Sequence, residues 1–64
     1  MSASAVRARI VHLLVNDHGI RITTNKGLVL EEANPLNVIA ERRFVRIGDD
    51  AGVGYGAIVK VESL

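Results

Sequence analysis

Few side chains in this chain of 64 residues have the chemistry to catalyse or to ligate. The histidines are His12 and His18, and the acids are Asp17, Glu31, Glu32, Glu41, Asp49, Asp50 and Glu62. On one extended strand the two histidines would stand about 20 Å apart, at about 3.3 Å per residue. On one helix they would point to different faces. Neither arrangement holds a metal between two imidazoles. His18 beside Asp17 has the form of an acid–base pair, but it reads as an exposed turn residue. Glu31 and Glu32 fall on opposite faces of any strand, so they do not work as a cooperating pair. Asp49 and Asp50 lack the alternating oxygen ligands of a calcium loop. Ser2, Ser4 and Ser63 lie near the termini with no base to activate them. Cysteine is absent, which removes disulfides and thiolate chemistry. The expectation is a non-enzyme with no catalytic residue, no metal and no cofactor.

The densest feature is Gly48 to Gly56, which holds four of the six glycines. Gly52-Val53-Gly54-Tyr55-Gly56 resembles a phosphate loop only superficially. A dinucleotide fingerprint needs a strand before it and a helix after it. Only eight residues follow Gly56, and their pattern is that of a strand. Asp49 and Asp50 would also repel a phosphate. The stretch reads as a hairpin loop, with Gly52, Gly54, Tyr55 and Gly56 as a candidate partner-binding loop in which Tyr55 is the anchor.

Arginine outnumbers lysine six to two. If residues 42–47 are extended, Arg42, Phe44 and Arg46 share a face, the sort of surface that stacks a base and holds phosphates. Arg7 and Arg9 extend it if the first segment is a strand. These five residues form a candidate nucleic-acid face. Against it stand the near-neutral net charge of +1 and the scarcity of aromatics, Phe44 and Tyr55 alone. The competing reading is a solvated charged face, or arginines paired with Glu31, Glu32 and Glu41 of the same or a neighbouring subunit.

The elements that must position these residues follow from periodicity. Val6 to Val15 fits two patterns. Val6, Ala8 and Ile10 alternate as in a strand, whereas Val6, Ile10, Leu13 and Leu14 form a helical stripe that Ser4 would cap and Gly19 would end. Its Val, Ile and His content favours the strand. Asn16-Asp17-His18-Gly19 is a turn with glycine in the left-handed position. Ile20 to Thr24 alternates cleanly, Asn25-Lys26-Gly27 turns, and Leu28 to Glu32 resumes, so residues 20–32 predict a β-hairpin. Asn34-Pro35 has the form of a helix cap and first turn, and predicts a short helix over 35–42. Phe44 to Ile47 and Ala57 to Val61 predict a final hairpin around the glycine loop.

The resulting fold class is mainly β: a small antiparallel sheet or partly open barrel of about five strands, with one short helix near residues 35–42. The alternative is α+β, with an N-terminal helix over 4–18 packed on two hairpins. The whole chain, 1–64, forms a single small domain, with 1–4 expected to fray.

Valine, isoleucine and leucine number nine, six and six. These 21 aliphatic side chains exceed what one core of this size hides, because a domain this small buries only about 60% of its unfolded surface. The function expected is therefore a non-enzymatic, homo-oligomeric interaction or assembly module that buries an apolar face between subunits. The alternative is a small nucleic-acid-binding β domain. The expected partner is a second copy of the chain, with another protein or a nucleic acid as further options. No membrane is expected, since no run approaches the roughly 18 apolar residues of a span, and the default location is cytoplasmic.

Overall fold

The structure, a computed structural model, describes residues 2–49 and 52–64. It opens on a helix, α1 (Ala3–Val15), and not on the strand that the residue content favours. Burial shows why the helix wins. Val6, Ile10 and Leu13 are buried at helical spacing, while Ala8, which a strand would have placed beside them, is exposed. Ser2, not Ser4, supplies the cap, its hydroxyl accepting from the Ala5 amide at 3.2 Å. The helix ends in a Schellman motif: the His18 amide donates to the Leu13 carbonyl at 2.9 Å and the Asp17 amide to Leu14 at 3.0 Å. The left-handed residue is Asp17, with φ 63°, and not the expected Gly19. Gly19 serves a different need. A Cβ there would come within 2.5 Å of the Glu32 carbonyl oxygen and 2.6 Å of that of Ala33, so the backbone passes too close for any side chain.

Strands β1 (Ile20–Thr24) and β2 (Val29–Glu32) form the expected hairpin. Ile20, Ile22 and Thr24 point into the core. The Thr24 hydroxyl closes the turn, accepting from the amides of Lys26 and Leu28, and Gly27 takes φ 81°.

Beyond the hairpin the chain departs from expectation. Asn34 caps and Pro35 begins a helical turn as read, but it is a single 3₁₀ turn, Pro35–Asn37. Residues expected to continue it instead form strand β3 (Val38–Ala40), antiparallel to β4 (Phe44–Ile47). The β-branched Val38 and Ile39 gain strand partners there, and Val38, Val45 and Ile47 are buried.

The expected pairing of 44–47 with 57–61 does not occur. β4 pairs instead with β5 (Val53–Gly54). A second 3₁₀ turn, Tyr55–Ala57, then redirects the chain into β6 (Ile58–Ser63), which lies along the free side of β1. A bulge opposite Thr23–Thr24 leaves Val59 unpaired. It shifts the inward set to Ile58 and Val61, while Val59, which simple alternation places on the same side as Val61, is exposed.

The result is one helix and two three-stranded antiparallel sheets, in the orders β2-β1-β6 and β3-β4-β5. It joins the β-rich content of the first reading to the N-terminal helix of its alternative. The helix packs on β1, β3, β6 and the second 3₁₀ turn, so the core of Val6, Ile10, Ile20, Ile22, Val45 and their neighbours lies between helix and strands.

Candidate functional site

Strand β4 links two surfaces of opposite character. The chain enters it through the bend at Arg42 and Arg43 and leaves it through the turn at Gly48 and Asp49. From Arg43 to Gly48 the four-residue strand spans about 16 Å, at about 3.3 Å per residue.

At the exit end, a groove of about 570 Å³ lies where β2 meets the β3–β4 pair. Glu31 and Glu32 come from β2, Leu36 from the first 3₁₀ turn, Ile39 from β3, and Asp49 from the turn after β4. Leu36 is 86% exposed and Ile39 48% exposed. Among the described residues no basic one lines the groove. Glu31 is engaged from the outer face of the sheet by Arg21, which also reaches Glu62 on β6 at 3.7 Å. The hydrogen bond and the charge of Glu31 raise the Arg21 pKa, so its proton is held more tightly than usual. Glu32 accepts from the Asn34 amide at 3.0 Å.

At the entry end, a pocket of about 280 Å³ is lined by Ala3, Ser4 and Arg7 of α1, by Arg42 and Arg43, and by Tyr55. No acid lines it. Arg7 is committed to the backbone, donating through Nε to the Glu41 carbonyl at 3.1 Å and through Nη2 to Ala40 at 3.4 Å. Arg42 and Arg43 are exposed, and among the described residues neither forms an ion pair.

The structure scatters the expected nucleic-acid face. Arg7 and Arg9 sit on a helix, where residues two apart diverge, so they do not continue a strand. Arg42 precedes the strand. Phe44 and Arg46 do share the side of β4 opposite Val45 and Ile47, with Phe44 half-buried and Arg46 exposed. Of the expected pairings with Glu31, Glu32 and Glu41, none is made by these arginines within the chain through a carboxylate among the described residues. Arg21 takes Glu31 instead.

The expected partner-binding loop is likewise redistributed. Gly54 lies in β5, and Tyr55 and Gly56 in the second 3₁₀ turn. Tyr55 is 3% exposed and belongs to the protein's own core, so its ring is not free to anchor a partner. A Cβ at Gly52 would strike the Phe44 ring. Asp50 lies outside the described residues. His12 and His18 are both exposed.

The acidic groove was not foreseen. Leu36 and Ile39 keep helical spacing in the sequence, and nothing local signals that residues of β2 and of the turn after β4 come to line a groove with them. Arg43 was passed over because alternation set it opposite Arg42. Among the described residues no helix is long and apolar enough to cross a membrane. No protein-family model, curated protein or solved structure matches the chain.

Proposed function

We propose that the protein is a non-enzymatic interaction module that assembles with copies of itself, acting in the cytoplasm. One observation carries this reading. Of the 21 aliphatic side chains, ten are buried and seven are exposed, and two of the exposed ones, Leu36 and Ile39, share one groove. A small domain gains stability by covering such a surface. Sedimentation equilibrium over a range of concentrations tests it. The expected mass is a multiple of 6.9 kDa that falls on dilution, with thermal stability rising with concentration. A single 6.9 kDa species up to the solubility limit overturns it.

A second reading, nucleic-acid binding, draws support from Arg42 and Arg43, which are exposed and lack carboxylate partners among the described residues. Fluorescence anisotropy with labelled oligonucleotides at two salt concentrations decides it. Binding that weakens steeply with salt and is lost on replacing these arginines supports it.

A further inference from the structure

We infer that the copies join head to tail, with the Arg42–Arg43 bend of one chain seated on the Glu31–Glu32–Asp49 groove of the next. This inference rests on the self-assembly proposed above and names the contact that carries it. The two surfaces share no residue and lie at opposite ends of β4. Among the described residues, one is lined by Glu31, Glu32 and Asp49 and by no base, with Glu31 already paired to Arg21, and the other by Arg7, Arg42 and Arg43 and by no acid, with Arg7 already held by backbone carbonyls. Like surfaces brought together would set carboxylate against carboxylate or guanidinium against guanidinium, which is repulsive. Unlike surfaces pair. Arginine suits this contact because its planar fork binds carboxylates in a bidentate manner and its stem covers apolar surface. Exposed Leu36 and Ile39 lie in the same groove, so the arginine stems have an apolar floor to cover. The net charge of +1 leaves little overall repulsion against self-association. A contact between two different surfaces propagates, so it yields a closed ring or an open filament.

The test is complementation between two charge-reversed variants. One carries Arg42→Glu with Arg43→Glu, and the other carries Glu32→Lys with Asp49→Lys. Far-UV circular dichroism and thermal melts establish that each is folded; a variant that fails this check is replaced by its Gln or Asn counterpart. Each variant alone should be monomeric, with assembly weakened by about 100-fold or more. An equimolar mixture should regain assembly, because the intact groove of one meets the intact arginines of the other and the reversed surfaces also match.

Wild-type protein that is monomeric at every concentration overturns both this contact and the self-assembly reading. Wild-type oligomers whose variants still assemble alone overturn only the contact. So do variants that are monomeric alone and stay so when mixed. An oligonucleotide that binds wild type and not the arginine variant, with assembly unchanged, also overturns the contact and assigns the arginines to phosphate.

Discussion

The Tyr55 hydroxyl donates to the Glu41 carbonyl oxygen at 2.5 Å, the same oxygen that receives Arg7 Nε. This single acceptor ties the second 3₁₀ turn and helix α1 to the bend between β3 and β4. It therefore fixes where Arg42 and Arg43, the next two residues, leave the surface. Tyr55→Phe removes one donor and leaves Glu41 with the other, so the loss should be near the low end for a hydrogen bond, about 0.5–1 kcal/mol. Tyr55→Ala also empties a core position and should cost about 3–5 kcal/mol. Urea denaturation measures both.

Burial raises the Tyr55 pKa above its ordinary 10.0, while Arg7 nearby pulls it back. The fold thus favours the neutral phenol. Its contribution to stability is whole below the unfolded-state pKa and is lost as pH climbs through the higher folded-state value. Denaturation series from pH 8 to 11 should show wild type losing stability at the alkaline end more steeply than Tyr55→Phe. Parallel curves would exclude Tyr55 as the group responsible.

Gly19 and Gly27 should respond differently to alanine. At Gly19 the new methyl meets the backbone of Glu32 and Ala33, which cannot yield without moving β2, and the cost should reach about 2–3 kcal/mol. At Gly27 nothing lies within 4 Å. Only the left-handed φ of 81° resists substitution, at about 1 kcal/mol. Thermal denaturation of the two variants side by side reads the difference.

Asp17 occupies a left-handed helix-terminating position, where glycine fits without strain, and its carboxylate faces the negative end of the helix dipole. Asp17→Gly should therefore stabilise the fold by about 0.5–1 kcal/mol, visible as a higher denaturation midpoint at unchanged slope. A lower midpoint would mean that the Asp17 side chain supplies something beyond backbone geometry.

Leu36, at 86% exposure, contributes little to the isolated fold. Leu36→Lys should leave monomer stability within about 0.5 kcal/mol while strongly weakening assembly, because it sets a cation where the partner's arginines dock and removes part of the apolar floor they cover. Chemical denaturation and sedimentation of the same sample separate the two effects. Assembly that survives this change would place the covered surface elsewhere.

The β1–β2 hairpin was legible in the sequence because its determinants are local: Ile20, Ile22 and Thr24 alternate, and Asn25-Lys26-Gly27 turns the chain. The cap at Asn34-Pro35 was legible for the same reason, as was the surplus of aliphatic residues. Whether residues 6–15 form helix or strand was not settled locally, since Val6 and Ile10 satisfy both periods; burial of Leu13 against the sheets decided it. Tertiary structure alone chose the partners of β4 and β6. Residues far apart in the chain, such as Ile20 and Ser63, pair when their meeting closes the core, and no turn between them encodes it. The bulge beside Thr23 then turned Val59 outward and put Ile58 inside with Val61, a one-residue shift that alternation in β6 does not announce. The groove and the arginine bend are products of that same closure. Their residues come from separate elements, and their charges acquire meaning only once β4 holds them apart.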